Sequence, residues 1–348
     1  LQAGALKILV GVDCWEKYWQ PYVVTSDILE PRSKKGWSGS RYASHSFHLS
    51  EVDSKKIIRW YHRQEAPMHG RIAVQIKEHL YTEHRMKVNG LNIHYTDWGN
   101  PHLPHMFLAH GSVANAFYWD LVAPAFRDRY HIVAVTARGR GKSDYAADSS
   151  YGTEDYVQDF RELTLGLGLD KLIYVGQSMG GKIGMTYAAM YPEQIERMIL
   201  VDIGGESTGS PSGDPMKSRP EVFDSPAEIE AWLRQFDRFS RLNQEALDIV
   251  LRTGFQQLVN EQWVSSIADP LVYQQRPPPP AVYETLGTIQ CPTLLIHCLL
   301  SDLMGPGIAV KTRDAIPNCE LIRLDSGHLP HLERPEEFIR VVKDYLGV

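Results

Sequence analysis

Leu172-Ile173-Tyr174-Val175 is an uninterrupted apolar run that ends in glycine, presents a single serine and then turns small-residue and helical. A run this short, bounded this way, reads as a buried strand, and Lys182 to Met190 reads as the helix that follows it, stopped at Pro192. Between them, Gly176-Gln177-Ser178-Met179-Gly180 has the form G-x-S-x-G, a strand-to-helix turn that lifts a serine oxygen clear of a sheet. A side chain two residues either side of the serine would collide with the neighbouring strand or helix, which explains the flanking glycines. The helix aims its free N–H groups at whatever the serine attacks, and these favour a developing negative charge.

In a chain with 27 glycines such a pentapeptide also arises by chance, as a turn whose serine only caps a helix. The chemistry therefore depends on whether the remaining residues supply a base, an acid and an anion site. The chain has 348 residues, which suits one large domain with insertions. Its net charge of −6 argues against a nucleic-acid surface and for a small-molecule partner. The four cysteines, Cys14, Cys291, Cys298 and Cys319, show no paired metal spacing, so no metal site is expected. Three of them lie in or beside apolar runs, where reduced, buried thiols and a cytoplasmic location are the expectation. No apolar run reaches the ~18 residues of a membrane span. Ala5 to Val12 is short and lacks a small-residue cleavage pattern, so no signal peptide is expected.

Residues 1–82 form an N-terminal extension without sustained periodicity, apart from helical spacing at Val52 to Gln64 and Ile72 to Leu80. From Met86 the pattern becomes regular. Met86 to Val88 and Leu91 to Tyr95 are strands about an Asn89-Gly90 hairpin turn. Met106 to Ala109 is a strand ending in His110-Gly111-Ser112, followed by a helix from Phe117 to Phe126. Ile132 to Val135 runs into Arg138-Gly139-Arg140-Gly141-Lys142-Ser143, which fails as a phosphate loop because Thr136 stands where its first glycine belongs. A helix from Thr153 to Leu165, the serine strand with its helix, and a strand from Met198 to Ile203 complete the alternation. Strands alternating with helices in this way make a parallel sheet covered on both faces.

The alternation breaks over residues 204–287. A Gly, Ser and Pro-rich stretch leads to helical periodicity at Ala227 to Phe239, at Gln244 to Leu258 and in a shorter piece ending near Ile267. Such an insertion cannot join the sheet, and it is expected as a helical cap over the sheet edge. Residues 288–348 return to the earlier pattern. They give a strand at Thr293 to Cys298, a helix at Ile308 to Ala315, a strand at Glu320 to Leu324 and a closing helix at Pro335 to Tyr345. The core is thus expected in two parts, 83–203 and 288–348.

Ser178, Asp302 and His328 each follow a strand, in the chain order Ser, Asp, His that a G-x-S-x-G hydrolase uses. A serine hydroxyl is too weak an acid to attack unaided, so His328 is the expected base and Asp302 the group that orients it. The oxyanion donors are expected to be the backbone N–H groups of Met179 and of Ser112. Asp202 also ends a strand and is the rival acid; Asp302 is preferred because its loop precedes a helix at the expected spacing. His110 is expected to fix the oxyanion loop, His331 to be a polar group at the surface or behind His328, and His297 to be a core residue.

Met86 to Val348 resembles the α/β-hydrolase superfamily, in its cap-bearing esterase, lactonase and carbon–carbon hydrolase branch. The resemblance is carried by His110-Gly111-Ser112, Arg138 to Asp144, Gly176 to Gly181, Val201-Asp202-Ile203, Cys291-Pro292-Thr293 with Ser301-Asp302, and Gly327-His328 with Glu333-Arg334-Pro335-Glu336. It implies an eight-stranded, mostly parallel sheet and a triad that needs no cofactor. Residues 1–82 have no counterpart, and Gln177 stands where histidine is commoner. The expected function is serine hydrolysis of a small or medium carboxylic ester or lactone through an acyl-enzyme. Two alternatives are hydrolysis of a carbon–carbon bond in a ring-fission acid, for which Arg234, Arg238, Arg241 or Arg252 offers a cation, and a ligand receptor of the same fold. A nucleophilic aspartate, as in epoxide hydrolases, is excluded by the serine at the elbow.

Overall fold

The computed structural model describes residues 80–147, 150–206, 219–266 and 282–348. The helices expected within the N-terminal extension lie outside these residues, Leu80 excepted. The described chain begins with β1 (Thr82–Val88) and β2 (Leu91–Asp97), joined by Asn89 at φ 48° and Gly90 at φ 84°. Positive φ at both central residues is the two-residue turn whose twist matches an antiparallel pair, which is why the Asn-Gly sequence is found there. Strands β3 (His105–Ala109), β4 (His131–Val135), β5 (Leu172–Gln177) and β6 (Ile195–Val201) follow. Between them run α1 (Thr153–Gly166) and α2 (Met179–Met190).

After β6 the chain leaves the sheet. Helices α3 (Pro226–Leu233), α4 (Asp237–Ser240) and α5 (Gln244–Gly254) precede a separate hairpin of β7 (Phe255–Gln257) and β8 (Trp263–Ser265). Ser225 and Asn243 accept hydrogen bonds from the first-turn N–H groups of Glu228 and Ala246, which sets the starts of α3 and α5. Helix α6 (Val282–Leu286) leads back to β9 (Thr293–Cys298), α7 (Pro306–Ala315), β10 (Cys319–Leu324), α8 (Pro330–Glu333) and α9 (Pro335–Leu346).

Eight strands form one sheet in the order β1-β2-β4-β3-β5-β6-β9-β10, and β2 alone runs against the others. Alternate residues feed the two faces. Phe107, Val133, Tyr174 and Leu200 pack on one side, and Leu108, Ala134, Val175 and Ile199 on the other. The connection from β3 goes outward to β4 while that from β5 goes the opposite way to β6. The loops leaving β3 and β5 therefore diverge and open a crevice at the carboxyl ends of adjacent strands.

Two expected helices take another form. Phe117 to Phe126 is a pair of 3-10 turns, Ala116–Trp119 and Ala123–Ala125. Pro124 in a helix interior would remove one ladder bond and press its ring on the carbonyl four residues back. The helix expected to reach Leu258 ends at Gly254, and the piece beyond it is the β7–β8 hairpin, with Glu261 in its connection at φ 67°. Aromatic and β-branched residues at Phe255, Trp263 and Val264 suit a strand better than a further helical turn. Among the described residues no helix is long and apolar enough to cross a membrane.

Candidate functional site

Ser178 sits at φ 52°, ψ −116°, between the end of β5 and the start of α2. An L-residue holds such a conformation only where its surroundings impose it. Here Ser178 N donates to Val201 O of β6 at 3.0 Å, and the Ser178 carbonyl accepts from Lys182 N at 3.0 Å. The glycines are required by close approach. A Cβ at Gly176 would lie 2.6 Å from Gly180 O, and one at Gly180 would lie 2.2 Å from Ala109 O.

His328 follows β10 and is 3% exposed. Its Nδ1 lies 2.6 Å from Asp202 Oδ2. The other carboxylate oxygen of Asp202 accepts from Cys298 N at 3.0 Å, and Asp202 N donates to Ile296 O at 2.8 Å. With a carboxylate oxygen as acceptor, Nδ1 is the nitrogen that carries the proton, and Nε2 is left as the basic one.

The acid expected from sequence is therefore corrected: the carboxylate against the imidazole belongs to Asp202, not Asp302. Asp202 leaves β6 directly, and β6 is the neighbour of β5, with Val201 paired to Gln177 just before the serine. Asp302 leaves β9, one strand further out, lies four residues past its end and is half-buried. Its charge acts on Arg241. The signal for Asp202 was present in Val201-Asp202-Ile203, an acid immediately after a buried strand, and was outweighed by loop spacing.

Gln177 joins the loops. Its Nε2 donates to His328 O at 2.9 Å, and its Oε1 stands where a Cβ on Gly111 would be, 2.2 Å away. The loop after β3 is held by two buried side chains. His110 Nδ1 lies 2.6 Å from Gly111 O, while Ala137 N donates to His110 Nε2 at 3.0 Å. Those partners fix one neutral tautomer, with the proton on Nδ1. Burial, with the nearby Arg140 charge, pushes the His110 pKa down to about 3. Gly111 C=O and Ser112 N–H belong to one planar trans peptide, so turning the oxygen to His110 turns the Ser112 N–H the other way. Arg140, fully buried, donates from Nε to Ser112 O at 2.9 Å. Met179 opens α2, so its N–H is one of the first-turn donors that have no intrahelical acceptor.

His297 and His331 are core residues. His297 Nε2 lies 2.9 Å from Met304 O. His331, 1% exposed, stacks on Trp119 with ring centroids 4.5 Å apart, and burial pushes its pKa down to about 3. Among the described residues no His, Cys, Asp and Glu group is placed to hold a metal, and Cys291, Cys298 and Cys319 are free thiols.

Comparison with known proteins agrees with this architecture. The family model described as the alpha/beta hydrolase fold matches residues 104–335. Epoxide hydrolase 3 of Xenopus tropicalis is 26% identical over 324 residues, 83% of each chain. The 3-hydroxybutyrate-oligomer hydrolase of Cupriavidus necator is 35% identical over 112 residues, which is 32% of this chain and 38% of that protein. Among solved structures, E-2-(acetamidomethylene)succinate hydrolase superposes with a TM-score of 0.67 at 20% identity, over 77% of this chain and 100% of the other. The sheet order, the strained serine at the β5–α2 turn and the family match over most of the described core lead to one assignment: the chain belongs to the α/β-hydrolase family.

Proposed function

We propose that this hydrolase cleaves a small or medium carboxylic ester or lactone through an acyl-enzyme on Ser178, with His328 as base and Asp202 as the acid that orients it. The observation that carries the reading is the 2.6 Å contact of His328 Nδ1 with Asp202, in a loop tied by Gln177 to the residue next to Ser178. In this scheme His328 Nε2 takes the Ser178 hydroxyl proton as Oγ attacks the carbonyl carbon. The oxyanion meets the N–H groups of Ser112 and Met179, and His328 returns the proton to the leaving alcohol oxygen. Water then attacks the acyl-enzyme by the same route in reverse, releasing the acid and restoring Ser178. Side chains and backbone handle every proton and charge, so the scheme calls for no cofactor or metal.

A relative named for hydrolysing 3-hydroxybutyrate oligomers supports an ester-type substrate. The relatives named epoxide hydrolase do not redirect the reading, because opening an epoxide through an enzyme ester needs a carboxylate at the elbow, and this chain has Ser178 there. The test is a panel of esters and lactones of graded chain length assayed with wild type and Ser178→Ala. The expected result is turnover by wild type and a loss of about a thousandfold or more in kcat for the variant. Full activity in Ser178→Ala would reject the reading.

A further inference from the structure

The loop that carries His328 is pinned on both sides. Gln177 Nε2 donates to His328 O at 2.9 Å, and Gly327 N donates to Glu333 Oε2 at 2.8 Å. Glu333 ends α8, so the chain folds back after the histidine and one carboxylate closes the turn. No side chain has room at Gly327, because a Cβ there would lie 2.7 Å from Glu333 Oε2 and 3.0 Å from Arg241 Nη1. Arg241 belongs to the inserted segment, one residue past α4, and its Cδ lies 3.7 Å from the same point. A side chain of the insertion is thus laid across the residue that precedes the base.

Arg241 is the cation among three carboxylates drawn from different parts of the chain. Its Nη1 is 2.7 Å from Asp237 Oδ2 of α4, and the charges of Glu333 and of Asp302, past the end of β9, also act on it. Glu333 is half-buried, and burial pushes its pKa up, toward the neutral acid. The Gly327 N–H and the Arg241 charge oppose that push, with Arg334 beside them, while the Asp237 charge adds to it. A carboxylate that keeps its charge is the stronger acceptor for the Gly327 N–H. Without Arg241, three like charges would face the space it fills. Apolar contact seats the same turn: Phe239 and Leu242 share one buried cluster with Leu329 and Leu332, which follow His328.

We infer that Arg241 is a positioning residue for the base: it reaches over Gly327 to brace the Glu333 carboxylate and through it holds the His328 loop, so that the base is aligned only while the inserted helices are seated. This rests on the reading of Ser178 and His328 as nucleophile and base. Seating of the insertion and alignment of the imidazole become one event, and Asp302 acts in it as a charge that steadies Arg241.

The experiment uses the full chain and follows the rate at which an alkyl fluorophosphonate labels Ser178, which depends on the base but on no substrate, beside ester kinetics. Labelling is expected to slow in the order wild type, Arg241→Lys, Arg241→Met, Arg241→Glu, with Arg241→Met about fivefold slower than wild type and KM for esters within about twofold. A stem that only packs would rank Arg241→Met above Arg241→Lys; that ranking, or a wild-type rate in Arg241→Met, overturns the inference. Glu333→Gln removes the charge but keeps an oxygen that accepts from Gly327 N. In that background Arg241→Met should slow labelling by less than about twofold, since its partner charge has gone. A full additional loss there shows that the two residues act independently and overturns the inference. The Arg241 side chain is 32% exposed, so its variants are expected to fold. Hydrogen exchange in a peptide spanning Ser326 to Glu333 gives a second measure: faster exchange in Arg241→Met than in wild type supports the brace, and equal exchange overturns it. If labelling follows the expected order but no ester is hydrolysed, the ester reading fails while the brace stands; if wild type takes no label on Ser178, both fail.

Discussion

His328 Nδ1 and Asp202 Oδ2 are 2.6 Å apart, and the second oxygen of Asp202 is held by Cys298 N at 3.0 Å. Both oxygens of this 1% exposed carboxyl group are thus committed, one to the imidazole and one to the backbone of β9. Asp202→Asn preserves the shape but offers an amide to the ring, which favours the wrong tautomer. Its kcat is expected to fall about a thousand- to ten-thousandfold with the circular dichroism unchanged. Asp302→Asn is expected to stay within about tenfold of wild type. Steady-state kinetics on the two purified variants checks the assignment, and the reverse ranking would restore Asp302.

Gln177 contributes through the backbone of its neighbours. Removing the hydrogen bond to His328 O in Gln177→Ala, and the amide that fills the space over Gly111, loosens the base and the oxyanion loop together. One neutral hydrogen bond is worth about 1 kcal/mol, so kcat should fall roughly fivefold. KM should hardly change, because Gln177 is buried beneath the serine. A rise in KM at constant kcat would instead make Gln177 a substrate contact.

His110 and His331 link stability to acid. Burial holds both pKa values at about 3, whereas an unfolded histidine titrates near the ordinary 6.5. Between those values the unfolded chain binds more protons than the folded one, so stability is full above about pH 6.5 and declines as the pH falls toward 3. Each histidine adds at most about 1.4 kcal/mol per pH unit to that slope. Urea midpoints across this range should show His110→Gln with a shallower acid decline than wild type. Identical slopes would contradict the buried neutral form.

The framework was legible in sequence wherever one strong local signal acted alone. Asn89-Gly90 dictated a turn with two positive φ angles, the run at Thr293–Cys298 gave a buried strand, and Gly176 to Gly180 gave the strained serine. What escaped depended on contacts between distant residues. Asp202 and Asp302 leave adjacent strands, and only the sheet order, with β6 beside β5, decides which reaches His328. His331 reads as polar in sequence, yet Trp119 from the segment after β3 covers it. The β7–β8 hairpin was obscured by helical spacing that continued past Gly254 into residues of strand character.

The central claim, that Ser178 is a nucleophile activated by His328 and Asp202, is tested most directly by covalent labelling. Treating the protein with an alkyl fluorophosphonate and mapping the adduct by mass spectrometry should give one label per chain on Ser178. Labelling should be slowed strongly in His328→Ala and Asp202→Asn and abolished in Ser178→Ala. A label on another residue, or a rate in His328→Ala equal to that of wild type, would contradict the account.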